Sequence, residues 1–110
     1  MNRGEVWWVD FEPAVGGEIR KKRPAIVVSN DTANKYLSRL QVVPVTSKTG
    51  RLYPGEALVT VANRPAKALT SQITTVSKLR LLNKADELAD AEMERVEAGL
   101  VIQLGLPRRR

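Results

Sequence analysis

A chain of 110 residues, 43% hydrophobic and 27% charged, suits a single domain spanning 1–110 with one modest core and argues against wholesale disorder. It contains neither cysteine nor histidine, which excludes a disulfide framework, a thiolate metal site and the commonest general acid-base, so any catalysis runs on Arg, Lys, Asp, Glu, Ser, Thr or Tyr. The net charge of +6 is unevenly spread, with 14 basic and 6 acidic side chains in residues 1–85 against 4 and 6 in residues 86–110; a basic body with a separate acidic segment points to an anionic partner met by one face.

The opening MNRGEVWWVDF lacks the long apolar stretch of a secretory leader, and no later run approaches the roughly 20 residues that span a bilayer, so a cytoplasmic protein is expected. Within that opening, Glu5 to Phe11 is dense in β-formers and reads as a strand. Pro13 and Gly16-Gly17 end it and begin a polar, basic loop from Glu18 to Arg23. Pro24 starts the short apolar run Ala25 to Val28, a candidate buried strand. Ser29-Asn30-Asp31 reads as a turn or cap, Thr32 to Arg39 as room for one helical turn, and Leu40 to Val45 as a third strand.

Gly50 and Tyr53-Pro54-Gly55 mark a loop before the alternating strand Ala57 to Val61, which Asn63-Arg64-Pro65 is expected to break. A fifth strand is expected over Ala68 to Val76, with a further short one at Leu79 to Leu82. The clearest helix comes last. Asp90 reads as its N-cap, Glu92 and Glu94 suit the first turn, and Met93, Val96, Leu100 and Leu104 recur at spacings of three and four. Val101 and Ile102 widen the apolar face beyond what a small barrel needs, which leaves open whether the helix only packs on the sheet or also meets a second copy of the chain. Five to seven short antiparallel strands and a C-terminal helix make a small barrel or rolled sheet.

Two stretches carry the chemistry. In Gly16-Gly17-Glu18-Ile19-Arg20-Lys21-Lys22-Arg23-Pro24, four consecutive cations would repel one another unless an anion were expected there, and the arginine fork matches phosphate. In Val43-Pro44-Val45-Thr46-Ser47-Lys48, a strand ends in two hydroxyls and a cation; such hydroxyls donate to phosphate oxygens but also cap turns routinely. Ser71-Gln72 is weaker, since a buried, hydrogen-bonded glutamine explains it equally well.

Taken in order, Gly4 to Phe11, Gly17-Glu18, Arg23-Pro24 with Ala25 to Ser29, Val43 to Ser47, Ala68 to Ile73 and the helix at 90–104 resemble the MazF/PemK toxins over roughly residues 4–104. The resemblance implies an SH3-like barrel with a C-terminal helix, a homodimer, cleavage of single-stranded RNA at short sequences, and an antitoxin partner whose acidic tail occupies the RNA groove. It carries the family's catalytic arginine and threonine to Arg23 and Thr46 and its loop glutamate to Glu18.

Such a site needs no metal or other cofactor if the RNA's own 2′-OH attacks the neighbouring phosphate. Arg23 suits an electrostatic clamp, because a guanidinium does not readily give up a proton; Thr46 would donate to a phosphate oxygen. Glu18 is the carboxylate nearest these cations and a candidate base, although they weaken it by lowering its pKa. Arg20, Lys21, Lys22, Lys48 and Arg51 are candidate phosphate contacts, with Ser47 and Gln72 as further RNA contacts. Among the five aromatics, Tyr53 in its turn is the preferred base-stacking residue, and at least one of Trp7 and Trp8 is expected in the core. Two other readings stay open: a non-catalytic nucleic-acid-binding barrel and a CcdB-like gyrase poison on the same fold.

Overall fold

Alternating and continuous apolar runs fold into one antiparallel sheet that curls on itself. The computed structural model describes residues 1–12, 15–17 and 21–107. Its strands are β1 (Glu5–Asp10), β2 (Lys22–Val27), β3 (Arg39–Thr46), β4 (Ala57–Val61), β5 (Arg64–Ala68), β6 (Thr74–Ser77) and β7 (Leu81–Glu87); helix α1 (Asp31–Tyr36) precedes β3 and helix α2 (Asp90–Leu104) closes the chain. The spatial order is β4-β5-β3-β2-β1-β7, with β6 also beside β3. This is the small, mainly β architecture with a C-terminal helix expected from the sequence.

The curl originates in β3. Its first half pairs β6 (Leu40 opposite Val76) and its second half pairs β5 (Val45 opposite Ala68), while its other edge holds β2. One strand therefore serves two diverging sheet segments, and both its faces are covered. That explains why Val42, Val43 and Val45 form a nearly continuous buried run rather than an alternating one. Val6, Ile26 and Val43 pack with Val59, Ala66 and the α2 residue Val96 on one side; Val9, Ala25, Val27, Leu40 and Val42 pack with Leu81 on the other. Each fully buried Val, Ile or Leu contributes about 1.5–3 kcal/mol relative to exposure.

Helix α2 lies on β4 and on the short 3₁₀ turn Thr70–Gln72. Met93 and Val96 are its buried anchors, whereas Leu100 is half-buried and Leu104 exposed. Its closest approach is through Gly99, where an added Cβ would stand 2.1 Å from the carbonyl oxygen of Gly55. Gly55 itself has φ +89, and its carbonyl accepts the Thr70 hydroxyl at 2.8 Å.

Several boundaries differ from expectation. Ala68 to Val76 is not one strand: β5 ends at Ala68, and the 3₁₀ turn separates it from β6. Thr70 is fully buried and bonded to Gly55, so tertiary packing overrides the β propensity of that run. Arg64-Pro65 does not break the sheet but begins β5, because Ala62 (φ 51) and Asn63 (φ 64) make the tight hairpin turn just before it. The short strand expected at Leu79 is β7, starting at Leu81 after a turn. Ala89, not Asp90, occupies the helix cap position, and the Glu92 carboxylate accepts the Ala89 amide at 3.2 Å in place of a capping side chain.

Candidate active site

The start of β2 and the end of β3 set the site. β2 pairs β3 as Ala25 with Pro44, Ile26 with Val43 and Val27 with Val42. The same count carried two residues further brings Arg23 level with Thr46. Across the other edge of β2, Arg23 faces Val9 and Pro24 faces Trp8 of β1. The β2–β3 register is set by the apolar residues, since a one-residue slip would turn Ile26 and Val43 out of the core. Packing thus delivers the arginine and the threonine to one end of the curled sheet.

There a groove of about 470 Å³ opens. Arg23, Thr46 and Ser47 line it together with Lys21 and Lys22, and the β4–β5 hairpin adds Ala62 and Arg64 to its wall. Among the described lining residues none is acidic. Arg23 and Thr46 are each half-buried, so their polar ends reach a partly desolvated space where charge acts more strongly than in bulk water. Thr46 Oγ1 accepts the Lys48 amide at 3.2 Å. That bond uses an acceptor lone pair and leaves the hydroxyl proton to point at an oxygen in the groove. The strained hairpin tip is fixed by Asp86, whose carboxylate accepts the Ala62 amide at 2.7 Å.

Five of the expected residues (Lys21, Lys22, Arg23, Thr46 and Ser47) therefore meet in one groove. Lys48 and Arg51 are exposed on the following loop and, like the half-buried Gln72 of the 3₁₀ turn, do not line the groove. Glu18 and Arg20 lie outside the described residues, as does the arginine run 108–110.

Tyr53, the expected stacking residue, is also away from the groove; its ring centre lies 5.4 Å from both the Arg51 guanidinium and Lys67 Nζ. The aromatic residue in the groove is instead Trp8, which is 38% exposed. Its neighbour Trp7 packs against the second core cluster and donates Nε1–H to Glu5 at 2.9 Å. Alternation along β1 already requires the two indoles to point to opposite faces. Which one meets the groove depends on β4 and β5, which lie far away in the chain. Arg64 was missed for the same reason.

Two carboxylates outside the groove are held in fixed hydrogen-bonded settings. Burial pushes the Glu56 carboxyl up, but the Tyr53 amide at 2.8 Å and the Lys67 ammonium at 2.9 Å outweigh burial and hold it below its ordinary value. Glu5 follows the same pattern: burial raises it, while the Trp7 indole, the Asn2 amide, Lys84 and the N-terminus bring it down overall. Among the described residues, no group of three or more Asp or Glu is placed to hold a metal ion.

Comparison with known proteins converges on one family. The family model of the PemK-like, MazF-like toxin of type II toxin-antitoxin systems matches residues 2–104. Endoribonuclease MazF9 of Mycobacterium tuberculosis is 38% identical over 115 residues, covering 96% of this chain and 98% of that protein. Among solved structures, an endoribonuclease in complex with its cognate antitoxin from a mycobacterial species superposes with a TM-score of 0.83 at 24% identity, covering 99% of both chains. MazF from Deinococcus radiodurans gives a TM-score of 0.84 at 25% identity, covering 96% of each.

Proposed function

Because the chain belongs to the PemK-like, MazF-like toxin family of type II toxin-antitoxin systems, we propose that its groove is where this endoribonuclease toxin cuts single-stranded RNA, with Arg23 and Thr46 acting on the scissile phosphate. The observation that carries this assignment is the meeting of Arg23, Thr46, Lys21, Lys22 and Arg64 in one groove whose described lining holds no carboxylate. An RNA strand is drawn in by its phosphates. Unstacked bases need a flat apolar face, and Trp8 offers one within the groove.

In this reading the 2′-oxygen bonds to phosphorus, the bond from phosphorus to the 5′-oxygen breaks, one fragment ends in a 2′,3′-cyclic phosphate, and the 5′-oxygen of the other takes a proton from solvent to leave as a hydroxyl. Charge grows on the non-bridging oxygens as the phosphate becomes five-coordinate. Arg23 stabilises that charge as a permanent cation, and Thr46 donates its hydroxyl proton to one of the same oxygens. Glu18, three residues before Lys21 in the sequence, is the proposed acceptor of the 2′-OH proton. The chain's partner is an antitoxin whose acidic tail would fill the same cationic groove. A second copy of the chain is proposed against the outer part of α2, where Ile102 and Leu104 are about half exposed. A cytoplasmic location is proposed with this reading, since messenger RNA would be met there.

Incubating the protein with a long transcript in EDTA, beside Arg23→Ala and Thr46→Ala, tests the assignment. Wild-type protein should release fragments ending in cyclic phosphate, and each variant should slow cleavage by about 100-fold or more while melting as wild type. A 2′-deoxy nucleotide at the cut position should abolish cleavage there. Variants that cut at the wild-type rate refute the roles given to these two residues. A gyrase poison would leave the transcript whole and block supercoiling instead.

A further inference from the structure

We propose that Lys67 is a positioning residue for the cleavage reaction, holding the loop 47–56 so that Thr46 presents its hydroxyl in one orientation; this rests on the ribonuclease reading above. Lys67 stands directly opposite Thr46 in the last pair of the β3–β5 ladder. Despite its charge it is only 8% exposed. Its ammonium donates to the Arg51 carbonyl at 2.6 Å and to Glu56 Oε1 at 2.9 Å, and it lies 5.4 Å from the centre of the Tyr53 ring. The same Glu56 oxygen accepts the Tyr53 amide. One buried cation thus ties three points of a ten-residue loop to the strand beside the active threonine.

The loop in turn reaches the reacting group. It leaves β3 at Ser47, and the Lys48 amide donates to Thr46 Oγ1, which fixes how the hydroxyl is turned. If the loop drifts, that amide drifts with it and the threonine proton loses its aim. Stability alone gives little reason for the ammonium. A buried ion pair replaced by apolar groups of similar volume is often neutral or better, so the charge is explained by the geometry it enforces. Nothing in the sequence marks Lys67 apart from other lysines; its significance comes from the pairing with Thr46.

A double-mutant cycle tests the coupling. A fluorescent RNA oligonucleotide spanning the strongest wild-type cut is cleaved by wild type, Lys67→Met, Thr46→Ala and the double variant, with kcat and KM measured separately. Lys67→Met should lower kcat about tenfold and leave KM within about twofold, since a displaced catalytic group costs rate more than binding. In the Thr46→Ala background the same substitution should cost nothing further. An equal loss in both backgrounds, or none in the wild-type background, overturns the proposal. Should Lys67→Met fail to fold, the isosteric Glu56→Gln takes its place with about a threefold loss expected under the same criterion. Wild-type protein that leaves RNA whole, or Thr46→Ala that cuts normally, refutes the ribonuclease reading or the role of Thr46 and this inference with it. A normal wild type with an indifferent Lys67 refutes this inference alone.

Discussion

Two grooves of opposite charge lie on this small molecule, and they use their charges differently. In the proposed active-site groove Lys21, Lys22, Arg23 and Arg64 gather with no acidic residue among the described lining. In the second groove Asp31, Glu87, Asp90, Glu94 and Glu97 surround one arginine, Arg3. That arginine is committed to the fold: its amide donates to Asp31 at 2.7 Å, its Nε to the Val28 carbonyl at 3.1 Å, and its Nη2 meets Glu97 at 2.6 Å. The first groove crowds like charges, an arrangement that favours an incoming polyanion; the second spends its cation on joining the N-terminus to α1 and α2. A net charge of +6 conceals both arrangements.

Charge reversal should separate the two grooves most sharply. Lys22→Glu with Arg64→Glu should weaken binding of a cleavage-resistant 2′-deoxy-substituted oligonucleotide by about 100-fold at low salt, and should flatten the log–log salt dependence by about 0.7 per cation removed. Glu94→Lys, the opposite reversal in the second groove, should leave that affinity within about twofold. Filter binding across a salt series checks both, and equal effects from the two grooves would erase the distinction. A smaller effect is expected from Arg3→Met: a loss of about 1 kcal/mol in urea denaturation with RNA cleavage unchanged, because the pair with Glu97 is partly open to water.

Acid should produce the smallest effect, acting through two carboxyls that line neither groove. Glu5 and Glu56 are both held below the ordinary value of 4.5. Their contribution is therefore complete above the unfolded-state pKa and disappears as pH falls through the lower folded-state values. Melting temperatures should coincide between about pH 7 and 6 and fall below about pH 4.5, and Glu5→Gln with Glu56→Gln should flatten that decline.

The sequence disclosed what is local. The β1–β3 strands were legible because their apolar runs are short and bounded by Gly, Pro or polar residues, and α2 because its anchors recur with the helical period. Arg23, Thr46 and Ser47 could be named as candidates because the residues flanking them carry the family's pattern, and all three line one groove. What escaped depends on distant chain segments. Pro65 reads as a breaker until Ala62 and Asn63 are seen to turn the chain one step earlier, leaving Pro65 inside β5 opposite Thr60. Ala68 to Val76 has strand composition throughout, yet burying Thr70 against Gly55 forces a turn in its middle. Trp8 and Arg64 gain their meaning only when the β4–β5 hairpin folds to the groove that both of them line.

Where Gly99 meets Gly55, main chain lies directly on main chain, with no side chain between them to act as a cushion. Gly55 immediately precedes Glu56, the residue that clamps the loop leaving Thr46. No rotamer therefore stands between the helix and that loop to take up a shift of either one. Alanine at Gly99 would have to force the two backbones apart, whereas at Gly55 the φ of +89 is the greater obstacle to a side chain.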